Sequence, residues 1–479
     1  MTETSFARKV ASSVLYSGAS SVVARLLNAG ALFYTLKIIS EAEFGIAALA
    51  IAFFNTAKAL TELGLGAAII QERKIGRTQI DSLFWISFLI SSVLYATLYL
   101  VAPWIAQFYE TEVLSPMIRV YMLGIIAFSF YMISSRLLTR ELAFKKIAII
   151  DNVSLAASAG LMIYLASSGW GAWSIVLAEL AHKVGQMFLS LIFKPYWPRL
   201  QFEYQKIKHL LRFGLYTAGS HTLHKLYMNA DYLIIGKFFS MELVGIYAFA
   251  YRLVFDTVQE LSSVINRVAY PAFAKLQDQI DRLRSYFFTM SKASMFLVGT
   301  VMIVVGTYID WFLPMIGYEK WVDAVPYMRI FIAVGLIQCL ITLLPKLISA
   351  KGEARFVFYF TLSNAIVLPV GFLFAAQISM LAVAYVWLTL YPLISGVIFY
   401  FGARVTETNP WYFAFKSFSA LYILLPLTGV AIATRYGINF WFGGANVPGV
   451  ILASIFIFAL SIFVIWFTER KTINALRRN

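Results

Sequence analysis

Charge is scarce in this chain. Of 479 residues, 13% are Asp, Glu, Lys or Arg, where a soluble globule carries about 25% to keep its surface wet. So few charges do not cover a water-facing exterior, and the outer surface must therefore meet lipid. Soluble enzymes, nucleic-acid-binding domains and disordered regulators are excluded on this ground. Cysteine is scarcer still. Cys339 stands alone, which rules out an intrachain disulfide and a cysteine-cluster metal site. The chain also lacks a Gly-x-x-x-x-Gly-Lys-Ser/Thr loop for nucleotide phosphates, and it lacks a Gly-x-Ser-x-Gly elbow or zinc-protease motif. Glu179, His182 and Lys183 lie close in sequence, but a single Glu-x-x-His is too small a set to hold a metal. No metal, other cofactor or catalytic residue is expected.

What the chain has is apolar length: 60% hydrophobic residues and a mean hydropathy of +0.76. A bilayer core needs about 20 apolar residues per helix. Segmenting on that basis predicts an all-α polytopic membrane protein with about fourteen spans, near 12–36, 44–70, 82–106, 117–135, 147–167, 171–193, 210–236, 243–271, 286–310, 324–349, 356–376, 379–402, 413–434 and 447–467. Residues 10–39 are too long for the apolar core of a secretory signal and contain Arg25, so they read as an uncleaved first span. Trp104, Trp170, Trp311, Trp411 and Trp441 fall near span ends, where interfacial anchors belong.

The net charge of +15 would suggest nucleic acid in a soluble protein. Here the cations sort by loop. Twenty-four Lys and Arg fall in loops on the side of the N-terminus, including Arg73, Lys74, Arg140, Lys194, Arg284 and Arg478, against Lys37, Lys237, Lys320 and Arg435 on the other. That imbalance supports the segmentation and predicts both termini in the cytoplasm. The basic stretch 194–209 reads as a cytoplasmic linker between an N-lobe, 1–193, and a C-lobe, 210–402. Residues 403–479 supply two further spans and a basic tail.

The sequence also repeats at a spacing of 200. Residues 37–50 lie over 237–250 with six of fourteen positions identical: Lys, Ser, Gly, Ile, Ala and Ala. Six spans separate the copies, so the halves have the same orientation, related by an axis along the membrane normal as in some transporters.

Charges within spans cost about 2.5–3.5 kcal/mol each at a helix centre and normally face a bundle interior or wet cavity. They concentrate in spans 1, 2, 7 and 8. At 100° per residue, Ser17, Ser21, Arg25 and Asn28 share an arc of roughly 80°; Asn55, Lys58 and Glu62 one of roughly 60°; His221, His224, Lys225 and Asp231 one of roughly 120°. Arg252, Asp256, Gln259, Glu260, Ser263 and Arg267 share roughly 100°. These stripes predict a hydrophilic cavity between the halves, with Arg252 and Asp256 also placed for an ion pair one turn apart. Arg25, Lys58, Lys225 and Arg252 suit an anionic head group, because a guanidinium grips phosphate oxygens bidentately. Asp231, Asp256 and Glu260 are candidates for coupling to a proton or sodium ion.

Glu43-Phe-Gly45, Leu63-Gly-Leu-Gly-Ala-Ala-Ile-Ile-Gln71, Leu83-Phe-Trp85, Arg140-Glu-Leu-Ala-Phe-Lys-Lys146, Asp231-Tyr-Leu-Ile-Ile-Gly-Lys237, Gly245-Ile-Tyr-Ala-Phe-Ala-Tyr-Arg252 and Tyr270-Pro-Ala-Phe273 resemble the bacterial polysaccharide flippases of the multidrug/oligosaccharidyl-lipid/polysaccharide superfamily. The Wzx-type, colanic-acid-exporter-like branch is the nearest match. The resemblance is specific over about 40–280 and one of general hydropathy beyond. Glu62 stands where relatives often have Asp before Leu-Gly. Membership implies two pseudo-symmetric six-helix lobes around a central cavity, here with two extra C-terminal helices. It implies translocation of lipid-linked oligosaccharide, on undecaprenyl pyrophosphate, across the bacterial inner membrane by alternating access. Partners implied with it are membrane lipids, polysaccharide polymerase and chain-length machinery, and a coupling ion, H+ or Na+, with no nucleic acid. The rival readings are an ion-coupled multidrug antiporter of the same fold, whose cavity would be more acidic, and a membrane-embedded polysaccharide polymerase or glycosyltransferase. The latter ordinarily carries a sizeable extramembrane loop, which this sequence lacks.

Overall fold

A computed structural model describes residues 23–62, 66, 69, 72, 75–443 and 446–478, with the backbone alone at 211–218, 221, 267–268, 270 and 465–478. The described residues are helical, with short connections and no strand. In chain order the helices are α1 (23–38), α2 (Glu41–Glu62), α3 (Arg77–Phe108), α4 (Leu114–Tyr121), α5 (Leu123–Arg140), α6 (Phe144–Ser167), α7 (Ala172–Phe193), α8 (Tyr204–Tyr227), α9 (Ala230–Phe238) and α10 (Met241–Tyr251). After a π-helical turn at Arg252–Asp256 come α11 (Thr257–Leu276) and α12 (Ile280–Met315); a 3-10 turn at Glu319–Ala324 leads into α13 (Val325–Ile341) and α14 (Leu344–Ala350). The chain ends with α15 (Ala354–Ala376), α16 (Met380–Val405), α17 (Pro410–Ser417), α18 (Leu421–Phe442) and α19 (Val447–Arg478).

Eleven described spans are long and apolar enough to cross a membrane. They match the second to sixth and ninth to fourteenth spans expected from sequence. The first falls partly outside the described residues. The seventh and eighth are helical, as α8–α9 and α10–α11, but are not among the described helices long and apolar enough to cross a membrane. The break expected between the eleventh and twelfth spans, 356–376 and 379–402, lies between the end of α15 at Ala376 and the start of α16 at Met380.

The chain sorts into two compact units: residues 1–245 with 361–377, and residues 246–360 with 378–479. In the first, α6 and α7 form an antiparallel hairpin, α5 lies against α3 and α7, and α8 lies against α2. An aromatic core stacks Phe84 against Phe88 and sets Phe130 and Tyr196 edge-on to it. The stretch after α7 is strapped to the start of α3. Tyr196 donates to Asp81 Oδ1 at 2.5 Å, Trp85 Nε1 to the Arg199 carbonyl at 2.7 Å, and Gln79 Nε2 to the Lys206 carbonyl at 3.1 Å. Burial, then the bond to Asp81 and its charge, push the Tyr196 hydroxyl above its ordinary pKa. In the second unit, α12 is the spine, packed by α11, α13, α18 and α19. Tyr251, Phe255, Phe331 and Trp387 form its aromatic core.

Two of the identities in the 200-residue repeat have structural explanations. Ser40 and Ser240 begin equivalent helices: Ser40 Oγ accepts from the Glu43 amide at 3.2 Å while Glu43 Oε2 accepts from the Ser40 amide at 2.8 Å, a reciprocal cap. Ser240 Oγ accepts from the Leu243 amide at 3.4 Å. One turn further in, Gly45 and Gly245 face each other. A methyl group on Gly45 would collide with the Met241 carbonyl oxygen, and one on Gly245 with the Glu41 carbonyl oxygen. Positions 41 and 45 thus meet 241 and 245 reciprocally, as a local two-fold requires. Only glycine lets two backbones approach so closely.

Candidate functional site

The polar groups that α2 carries into the first unit are set by its period. Asn55, Lys58 and Glu62 lie three and four residues apart on one face, all half-buried. Lys58 and Glu62 approach to 4.0 Å, and the Lys58 ammonium lies 4.5 Å from the centre of the Phe128 ring, a cation–π contact. Lys183 on α7, Lys225 on α8 and Arg136 on α5 all act electrostatically on that ammonium. Thr222 donates to the Ala59 carbonyl at 3.0 Å and holds α8 against α2 at this level.

Beside these groups lies a carboxylate from α6. Asp151 Oδ1 accepts from the Tyr131 hydroxyl at 2.9 Å and from Gln186 Nε2 at 2.8 Å, and it feels the charges of Lys183 and Arg25. Glu179 pairs with Lys183 at 3.7 Å one turn along α7. His182 lies between them in sequence, and Glu179, Lys183 and Lys58 act on its ring. Five cations (Arg25, Lys58, Arg136, Lys183, Lys225) therefore face three carboxylates (Glu62, Asp151, Glu179). Among the described residues, Arg136 Nε and His182 Nδ1 are buried with no hydrogen-bond partner, a costly state. This is a neighbourhood with an excess of positive charge and unsatisfied polar atoms. It can hold an anion such as a phosphate, next to a carboxylate able to exchange a proton or small cation.

The structure places the sequence-derived residues unevenly. Arg25, Asn28, Asn55, Lys58, Glu62 and Lys225 all lie in the first unit, with Arg25 exposed and the others half-buried. His224 Nδ1 is 2.7 Å from the Tyr227 hydroxyl, a local pairing within α8. Asp231 is fully buried at the start of α9, and its Oδ1 accepts from the Tyr232 amide at 2.8 Å. In the second unit Arg252 Nε lies 3.6 Å from Asp256 across the π-turn, a feature that often marks functional positions. Asp256, Gln259 and Glu260 are exposed. Ser17 and Ser21, and the side chains of His221 and Arg267, lie outside the described residues.

Sequence reasoning set aside His182 and Lys183 and missed Asp151, Tyr131, Gln186 and Arg136. One signal was available. Asp151 is the sole charged residue in the stretch 147–167, and an isolated carboxylate in an apolar span is costly unless it is used.

Fold and site define a polytopic α-helical membrane protein with a cationic polar cluster inside its first unit. The fold is similar to a solved structure of the lipid II flippase MurJ in an inward closed conformation, with a TM-score of 0.69 at 14% identity over 96% of this chain and 100% of that one. The family model for polysaccharide biosynthesis proteins matches residues 36–326, and the chain belongs to that family. It is 27% identical to the teichuronic acid biosynthesis protein TuaB of Bacillus subtilis over 72% of this chain and 71% of the relative. It is 24% identical to the lipopolysaccharide biosynthesis protein WzxC of Escherichia coli over 74% and 73% respectively. The flippase resemblance read from the motifs holds.

Proposed function

We propose that this protein translocates lipid-linked oligosaccharide repeat units, carried on undecaprenyl pyrophosphate, across a bacterial inner membrane by alternating access, and that it supplies exopolysaccharide or lipopolysaccharide synthesis. Both termini lie in the cytoplasm and the protein forms no covalent bond with its cargo. The observation that carries this reading is a full-length likeness to a lipid II flippase fold in a member of the polysaccharide biosynthesis family. The chemistry of the first unit supports it. Arg25, Lys58, Lys183 and Lys225 supply the charge that a pyrophosphate needs, and bidentate or clustered cations hold phosphate oxygens well. On the same reading Arg252 and Arg267, with Asn28, Asn55, Gln259, His221 and His224, contact the cargo. Asp231, Asp256 and Glu260 serve the coupling ion, H+ or Na+.

The test is reconstitution of the purified chain into vesicles with a defined lipid-linked oligosaccharide and imposed proton or sodium gradients. Gradient-dependent appearance of the sugar on the opposite face is the expected result. Transport of a labelled organic cation in its place would move the assignment to a multidrug antiporter, and release of free or lengthened glycan would move it to an enzyme.

A further inference from the structure

A cavity of about 780 Å³ opens in the second unit, bounded by α12, α13 and α18. Its two ends differ in chemistry. The floor is apolar: Met302 and Ile303 from α12, Ile332 and Leu336 from α13, and Ile432 from α18. Gly299 and Gly306 keep the α12 side low, and a methyl group on Gly306 would press on the Ile332 tip at 3.2 Å. The other end is a charged cap. Arg435 grips Asp310 through both nitrogens of its fork, at 2.9 and 2.7 Å, donates to the Thr307 carbonyl at 2.5 Å, and stacks on Trp311 at 4.6 Å. Arg329 Nη2 meets the same carboxylate at 3.2 Å.

One carboxylate thus serves two guanidinium groups, and both of its oxygens are taken. The cap keeps one positive charge in excess. Arg435 is immobilised by its partners, whereas the Arg329 side chain is half exposed, and among the described residues its other donors have no protein partner. Tyr436, Phe440 and Trp441, at the same end of α18, are exposed. Such an aromatic band marks the level of lipid head groups. From Gly299 to Asp310 the α12 wall runs about 16 Å at 1.5 Å per residue, all of it within helices that cross the membrane.

We propose that this cavity is a binding site for an anionic phospholipid of the bilayer, with its phosphate at Arg329 and Arg435 and an acyl chain along the apolar floor. A phosphodiester carries one negative charge, which matches the single excess positive charge of the cap; a pyrophosphate would overcharge it. Basic pockets between membrane helices take acidic lipid head groups by the same physics. The site is built from residues of the second unit alone and does not depend on the transport assignment.

The experiment uses the full chain, purified in detergent, with phosphatidylglycerol, phosphatidylcholine or inorganic phosphate added, and reads retained lipid by native mass spectrometry and protection against heat. One phosphatidylglycerol is expected to remain bound in preference to phosphatidylcholine. Arg329→Gln is expected to lower its retention about fivefold, the worth of one cation near an anionic surface. Arg329→Lys, which keeps the charge, is expected to restore most of it. Ala333→Phe, filling the floor from α13 with the cap intact, is expected to abolish retention. Equal retention of the two lipids overturns the proposal, as does undiminished phosphatidylglycerol binding by the Gln and Phe variants. Protection by inorganic phosphate equal to that by phosphatidylglycerol also overturns it, since the floor would then play no part.

Discussion

The reciprocal contact at Gly45 and Gly245 supports a quantitative prediction. Replacing Gly45 by Ala puts a methyl group against the Met241 carbonyl oxygen and within 2.8 Å of the Gly245 amide nitrogen. Both obstacles are backbone, so no side-chain rotation relieves them and the helices must separate locally. Overpacking of this kind costs about 1–3 kcal/mol. Gly245→Ala meets the Glu41 carbonyl oxygen in the same way and carries a similar cost. The two methyl groups force apart one crossing, so the double variant should lose less than the sum of the singles. Gly160, in α6, is the control: no atom lies within 4 Å of a methyl group there. Gly160→Ala should therefore be neutral or gain up to about 1 kcal/mol of helix propensity. Heat unfolding of the four proteins in detergent, followed by loss of monodisperse protein, reads the series. If Gly45→Ala and Gly160→Ala unfold together, the close approach of the two repeat copies is wrong.

Tyr196→Phe should lower stability by about 1.5–3 kcal/mol, the worth of a hydrogen bond to a charged group, because it strips the buried Asp81 of its 2.5 Å donor. The Tyr196 pKa is raised in the folded state, so the wild-type increment is complete below about pH 10, where a free phenol titrates, and is lost above it; the Phe variant should lack this alkaline step in an unfolding series. Arg25→Ala and Lys58→Ala should each reduce polysaccharide export by about ten- to a hundredfold, the range for a lost charge-assisted contact, with protein still in the membrane; full complementation by either would remove it from the site. Asp231→Asn should blunt the response to imposed proton or sodium gradients, and a wild-type gradient response would take Asp231 out of the coupling role.

Much of the fold was legible because its signals are local. Long apolar runs gave the eleven described helices that are long and apolar enough to cross a membrane, and the gap between α15 and α16 fell between the eleventh and twelfth expected spans. The Ser and Gly of the repeat were visible as identities, although their uses, a helix cap and a backbone crossing, were not. Helical periodicity correctly put Asn55, Lys58 and Glu62 on one face. It did not tell what that face meets. Lys58 shares its surroundings with Arg136, Lys183 and Lys225 from three other helices, and Asp151 joins them through Tyr131 and Gln186, 20 and 35 residues away in sequence. The paired Arg252 and Asp256 were anticipated from their spacing; the π-turn that carries them was not, since a five-residue widening leaves no mark on composition.

The sequence by itself determined an α-helical membrane protein with an internal repeat and with its charges gathered in a few helices, because these follow from transfer free energy and from the pitch of the chain. Tertiary structure alone decided which of those charges became neighbours. Asp310, Arg329 and Arg435 look in sequence like three unrelated residues near three helix ends, two of them 125 positions apart. They become one cap only because α12, α13 and α18 pack together, and the packing of apolar helix faces constrains partners through shape complementarity that no local pattern records.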